Sequence, residues 1–212
     1  MIIRWIRSPL LDDRCLLFFI KNPEKGKVKT RLASSIGDEG AVKLYRRLLF
    51  EMLSTLNRGT FFFYLCFYPG DSLNDLKHWL GDHYLYTPQY GENLGERMKN
   101  GFLEAFAMGF KRVVLIGSDI PDLSLELIEE AFHSLQEKDA VIGPSFDGGY
   151  YLIGFKDKKF SSQVFKGIPW SKERVFEETM KVLNKERLTV HTLKSLRDID
   201  TIEDLRNLSK GL

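Results

Sequence analysis

Short apolar runs alternate with amphipathic stretches along the chain. Arg14 to Lys21 (RCLLFFIK) is an apolar run of strand length, which predicts a buried strand. After a polar loop from Asn22 to Arg31, the segment Asp38 to Asn57 carries Ala41, Leu44, Tyr45, Leu48, Leu49, Met52 and Leu56 at helical spacing. A second strand is expected over Thr60 to Tyr68, a short helix capped by Ser72 up to Leu80, and a third strand over Tyr84 to Thr87 that Pro88 stops. Leu94 to Met108 predicts a helix ending at Gly109, which supplies a left-handed cap. Lys111 to Gly117 then predicts a strand, and Ser124 caps a helix running to about Lys138. Strands over Ala140 to Gly143 and Tyr150 to Phe155 follow, then a helix capped by Ser171 to about Lys185 and a strand over Leu188 to Leu193. Thr201 opens the last helix, and Asp204 completes a capping box with it.

Parallel neighbours in a sheet need crossover connections, and here the connections are helical. The expected fold is therefore α/β: a Rossmann-like, mostly parallel sheet sandwiched by helices, with ligands bound beyond the carboxyl ends of its strands. No internal repeat or Pro/Ser-rich linker divides the chain, so residues 14–212 are taken as one domain. Residues 1–13 carry two arginines within an apolar stretch and no small-residue cleavage site, so they are set aside as an N-terminal extension and not as a secretory signal.

Composition removes several classes. Lys+Arg is 31 and Asp+Glu 29, a net charge of +2, far from the basic footprint of a nucleic-acid binder. The longest apolar run, Phe61 to Tyr68, is well short of the ~18 residues a membrane helix needs. A cytoplasmic protein that engages neither nucleic acid nor membrane is expected. Cys15 and Cys66 lie inside apolar runs as core thiols, and the four histidines show no zinc spacing.

The chemistry must lie in the strand-end loops. In NPEKGKVKTR, Lys25, Lys27, Lys29 and Arg31 alternate around Gly26, a concentration of cations able to meet a di- or triphosphate, although a solvated basic loop is the commoner explanation of such a run taken alone. Neither a Walker P-loop nor GxGxxG is present. In GSDIPDLS, Asp119 ends a strand where it could hold Mg²⁺ or Mn²⁺, whereas Asp122 is explained by the helix N-terminus beside it. Asp147, Gly148 and Gly149 read as a hairpin turn, and a turn of this composition also leaves room for a substrate against the backbone beside one acid. Ser145 is not in a GxSxG elbow, which disfavours a serine hydrolase. Asp198 and Asp200, at i and i+2, could complete a metal site with Asp119 or serve the dipole of the last helix. QYGENLGERM sets Gln89, Glu92, Asn93 and Arg97 around two glycines, able to read a base or sugar edge or simply to turn and cap.

In this order, PEKGKVKTRL, QYGENLGERM, GSDIPDLS, GPSFDGGYYLIG, VFKGIPWS and LRDIDTIEDL resemble the glycosyltransferase-like proteins of GT-A fold named for arsenosugar biosynthesis, from about Cys15 to Leu208. That family is similar in turn to phospholactate guanylyltransferase and the molybdopterin-cofactor nucleotidyltransferases. The resemblance implies a nucleotide-diphospho-sugar transferase fold, a nucleotide or nucleotide-sugar donor, a small-molecule acceptor and a divalent metal. It implies that Lys25, Lys29 and Arg31 meet the donor phosphates, with Gln89 and Arg97 near the nucleoside. Asp119 would hold the metal with Asp198 or Asp200; Asp147 would act on the acceptor, beside Gly148, Gly149, Tyr150 and Trp170. The sequence departs from the DxD of many GT-A enzymes, since the central strand ends in Ser118-Asp119-Ile120, and it lacks the GxGTR start of the nucleotidyltransferases.

The expected function is metal-dependent transfer of a sugar from a nucleotide-diphospho-sugar to a small acceptor. Nucleotidyl transfer with release of pyrophosphate is the alternative, and a catalytically silent nucleotide-binding regulator is a third possibility. The oligomeric state is not legible in the sequence.

Overall fold

The computed structural model describes residues 12–170 and 173–209. Its strands are β1 (Arg14–Lys21), β2 (Phe62–Tyr68), β3 (Leu85–Pro88), β4 (Arg112–Ile116), β5 (Ala140–Pro144), β6 (Tyr150–Lys156) and β7 (Val190–Thr192). They form one seven-stranded sheet in the order β3-β2-β1-β4-β6-β5-β7. β1 pairs in parallel with β2 and β4, in a register that sets Phe18 against Leu65 on one side and Ile116 on the other. β6 alone runs antiparallel, to both β4 and β5. The connection from β5, residues 145–149, is too short for a crossover, so the next strand must turn straight back.

Helices α1 (Thr30–Arg58), α2 (Leu73–Leu80), α3 (Leu94–Ala107), α4 (Leu125–Ser134), α5 (Val175–Lys185) and α6 (Ile202–Ser209) complete the fold. Side chains alternate along β1, and each set finds its own core. Leu16, Phe18 and Ile20 pack with Tyr45, Leu49 and Met52 of α1 and with Ile128 and Phe132 of α4. Cys15, Leu17 and Phe19 pack with Met98 and Phe102 of α3 and Leu183 of α5. A strand covered on both faces reads as a continuous apolar run, which is what RCLLFFIK is. Cys15 and Cys66 are buried free thiols, as expected, and burial pushes both well above the ordinary thiol range.

Several local expectations need correction. α1 begins at Thr30, not Asp38, with a break at Gly37 (φ 75°, ψ 160°). The early turn is helical because Leu32 and Ile36, four apart, give it an apolar edge that packs on Ile199 and on Ile202 and Leu205 of α6. Ser72 does not cap α2 through its side chain; its hydroxyl donates instead to the Pro69 carbonyl at 2.6 Å. The expected cap Ser171 lies outside the described residues, and α5 starts at Val175. Asn93 and Ser124 do cap α3 and α4, accepting from Glu96 N–H and Leu127 N–H. Gly109 takes the left-handed conformation that ends α3 (φ 98°). Thr201 and Asp204 form their reciprocal capping pair at the start of α6. Among the described residues no helix is long and apolar enough to cross a membrane.

Candidate functional site

β1, β2 and β3 succeed one another in one direction across the sheet, and β4 opens the other half. Where such an order reverses, the loops leaving neighbouring strands part and leave a crevice at their carboxyl ends. A cleft of about 470 Å³ lies here, lined by Lys21 at the end of β1, Tyr68 at the end of β2, and Gly117, Ser118 and Asp119 after β4. Lys29, Thr30 and Arg31 at the head of α1, Gln89, Arg97 of α3 and Asp200 complete its wall.

Lys29 is the best-defined group in the cleft. Its backbone is left-handed (φ 49°, ψ 44°), an unfavourable conformation for a residue with a Cβ. Its side chain is 2% exposed, and its ammonium lies 2.9 Å from Asp119 Oδ1 and 3.2 Å from Asp200 Oδ1. The ammonium also donates to the Ile199 carbonyl. Arg31 Nη1 stands 3.9 Å from the other oxygen of Asp200. Two carboxylates delivered by different loops thus converge on one cationic point. Among the described residues no group of three or more His, Cys, Asp or Glu side chains gathers to hold a metal. Two acidic oxygens are nevertheless a set that suits Mg²⁺, which is commonly bound through one or two carboxylates together with substrate phosphates and water.

Behind Asp119, the buried hydroxyl of Tyr45 accepts from Lys21 N–H at 2.8 Å and lies 3.2 Å from Ser118 Oγ. Burial, reinforced by the Asp119 charge, holds that phenol well above the usual tyrosine range, so it stays neutral. On the opposite wall Arg97 lays its guanidinium over the Tyr68 ring, 4.4 Å from the centroid, while its buried Nε has no hydrogen-bond partner among the described residues. Gln89 donates its amide to the carbonyls of Cys66 (2.7 Å) and Ile20 (3.3 Å), tying the ends of β1 and β2 together.

The structure therefore brings Lys29, Arg31, Gln89, Arg97, Asp119 and Asp200 to one cleft. Lys25 is not among them: it sits in the turn that Lys27 N–H closes on the Glu24 carbonyl and pairs with Glu39 at 2.7 Å on the exposed surface. Lys27 lines a neighbouring hollow of about 250 Å³ that shares Lys21 and Tyr68 with the cleft. Asp122 is exposed.

Asp147 accepts from Gly149 N–H at 2.8 Å and from the Ser145 hydroxyl, so the hairpin turn is present and the acid is fixed within it. Its charge reaches Asp198. Burial first, and then the Asp147 and Asp200 charges, push the Asp198 carboxyl up to about 6. The room that Gly148 provides is occupied by this chain, since a Cβ there would stand 1.9 Å from the Glu173 carbonyl oxygen. Tyr150 and Trp170 meet edge to face at 6.4 Å in the core beneath α3, and the Trp170 ring closes over Gly95. Those two rings pack α3 onto the sheet and do not line the cleft.

Two cleft tyrosines and the backbone carbonyl that holds Lys29 escape the sequence patterns. Tyr68 sits in a run that reads as core, Tyr45 on a helix face that reads as core, and the Ile199 carbonyl leaves no trace in side-chain patterning.

A family model described as "Uncharacterized protein conserved in bacteria (DUF2064)" matches residues 52–172. The chain belongs to this family. The DUF2064 chain is 45% identical to a crystallised candidate nucleotide-diphospho-sugar transferase from Desulfovibrio desulfuricans G20, with 94% of this chain and 87% of that one covered and a TM-score of 0.91. Its fold is shared more distantly with 4-diphosphocytidyl-2C-methyl-D-erythritol synthase from Anaerococcus prevotii DSM 20548 (14% identity, 94% and 99% covered, TM-score 0.62). The inositol-1-phosphate CTP transferase from T. maritima is similar to the same degree (14% identity, 94% of each chain covered, TM-score 0.56). No protein of curated function matches the DUF2064 sequence. The architecture is thus the nucleotide-diphospho-sugar transferase type of α/β sandwich.

Proposed function

We propose that the protein transfers a sugar from a nucleotide-diphospho-sugar to the hydroxyl of a small acceptor. The observation that carries this is the convergence of Lys29, Arg31 and Arg97 with two carboxylates in one strand-end cleft. The 45% identity to a candidate nucleotide-diphospho-sugar transferase supports it.

Lys29, Arg31 and Arg97 bind and orient the diphosphate and offset the charge that grows on it as it leaves. The acceptor oxygen bonds to the anomeric carbon, the bond from that carbon to the diphosphate oxygen breaks, and the nucleoside diphosphate departs with the electron pair. Asp147 is the group assigned to take the acceptor proton. Asp119 and Asp200 would hold Mg²⁺ or Mn²⁺, which, when bound, neutralises phosphate charge. The Tyr68 ring, 41% exposed beneath Arg97, offers a face to the nucleoside.

Nucleotidyl transfer is the second reading, favoured by the fold shared with two cytidylyl-transfer enzymes. The leaving group separates the two. Purified protein is incubated with Mg²⁺, a small-molecule extract as acceptor pool, and either nucleotide-sugars or nucleoside triphosphates. Release of a nucleoside diphosphate from one sugar donor is the expected result. Pyrophosphate from a triphosphate, with no diphosphate from any sugar donor, overturns it in favour of nucleotidyl transfer; neither product points to a silent nucleotide-binding module.

A further inference from the structure

An ammonium has three N–H bonds to donate. Lys29 has three acceptors around it, Asp119 Oδ1, Asp200 Oδ1 and the Ile199 carbonyl, and its side chain is 2% exposed. In this state it donates to the Asp200 carboxylate and the Ile199 carbonyl and is held by Asp119 as an ion pair at 2.9 Å, so it is engaged on both carboxylates and turned away from any phosphate. Asp119, Asp200, Lys29 and Arg31 together sum to zero charge. Lys21 and Arg97 line the same cleft, so a divalent cation added alone would add its charge to walls that are already net positive and would meet the ammonium at close range, where like charges repel. A polyphosphate arriving with the cation restores the balance and offers the ammonium a new partner. Lysine suits such an exchange, since it carries a compact charge with three rotatable donors on a flexible stem.

We propose that Lys29 is the site's own counter-ion, and that a divalent cation reaches Asp119 and Asp200 only together with a polyphosphate that draws the ammonium off them. This rests on the cleft being a nucleoside-diphosphate site and adds to it an order of binding. Metal and nucleotide enter as one, and metal without nucleotide is refused.

The test follows Mn²⁺ binding by the loss of the free-ion electron paramagnetic resonance signal, for the wild type and for Lys29→Gln, whose amide can still hydrogen-bond both carboxylates without charge. Thermal melting confirms that the variant is folded. With Mn²⁺ alone, the wild type is expected to bind at least about tenfold more weakly than Lys29→Gln, a difference of about 1.4 kcal/mol. Adding UDP, GDP, CDP or ADP in turn, with protein-free controls for Mn²⁺–nucleotide complexes, should raise the wild-type Mn²⁺ affinity at least about tenfold for a diphosphate that binds. Equal Mn²⁺ affinity for the two proteins without nucleotide overturns the proposal, and so does a folded Lys29→Gln that binds no Mn²⁺. Should Lys29→Gln fail to fold, wild type that binds Mn²⁺ as tightly without a diphosphate as with one overturns it as well. If no diphosphate binds at all, the nucleotide reading of the cleft fails, while the Mn²⁺-only comparison still judges Lys29.

Discussion

The Ile199 N–H donates to the Asp119 carbonyl at 3.1 Å, while the Ile199 carbonyl receives the Lys29 ammonium. One residue thereby joins the end of β4, the head of α1 and the segment that carries Asp200. Its side chain is 1% exposed and packs with Leu32 and Leu48, so the joint is held by burial as well as by hydrogen bonds.

Ile199→Ala should therefore do two things at once. The cavity costs about 2–5 kcal/mol of stability, within the usual range for a buried isoleucine. The backbone N–H and carbonyl of residue 199 remain, but they lose the packing on Leu32 and Leu48 that fixes their position, so nucleoside-diphosphate affinity should fall as well. Urea unfolding and calorimetry check the pair of effects; a destabilised variant that keeps full nucleotide affinity would separate the joint from the site.

Arg97→Lys keeps the charge and loses the flat guanidinium that covers Tyr68. The stack, worth about 0.5–2 kcal/mol, holds Arg97 in place at the cleft wall, so nucleoside-diphosphate affinity should drop by no more than roughly two- to thirtyfold when it is lost. Tyr68→Leu should reproduce the loss, and the double variant should be no worse than either alone, as calorimetry would show.

Gly148→Ala places a methyl group 1.9 Å from the Glu173 carbonyl oxygen at a residue whose φ is 87°. Both the clash and the left-handed backbone oppose it, and a loss on the order of 3 kcal/mol is expected from denaturant unfolding. Gly26→Ala, with φ 72° but open space around the Cβ, should cost only about 1 kcal/mol.

Burial alone would lift the Asp139 carboxyl, but the N–H and hydroxyl of Thr189, assisted by Lys159 and Lys156, hold it below its ordinary value of 3.8. A depressed carboxylate stabilises the fold above its unfolded value and loses that contribution as the pH falls through its folded one. Asp139→Asn should accordingly cost about 1–2 kcal/mol at pH 7, and the gap to wild type should narrow below about pH 4. Melting curves from pH 3 to 8 provide the check.

Periodicity carried the order of strands and helices because both faces of the sheet are covered, which leaves long apolar runs and strongly amphipathic helices. It missed the first turn of α1, where only Leu32 and Ile36 mark the apolar edge and their partner Ile199 is far away in sequence. Lys29, Arg31, Arg97, Asp119 and Asp200 were visible as charged residues in strand-end loops, whereas Lys25 looks identical to Lys29 in sequence and only the fold separates them, one on Glu39 at the surface and the other buried between Asp119 and Asp200. Tyr150 and Trp170 were assigned to the acceptor by resemblance; their contacts with Gly95, Met98 and each other are long-range packing that no local pattern encodes.

Lys29 and Asp200 are 171 residues apart in the chain. During synthesis the sheet strands and most helices emerge before Asp200 does, and domains begin to condense from the N-terminus. A growing chain can therefore shape the walls of the cleft while the ammonium still lacks one of its two carboxylates. Ribosome-bound intermediates that stop short of residue 200 should be compact and yet lack the second carboxylate, so that metal-dependent binding of nucleotide arrives late and in a single step.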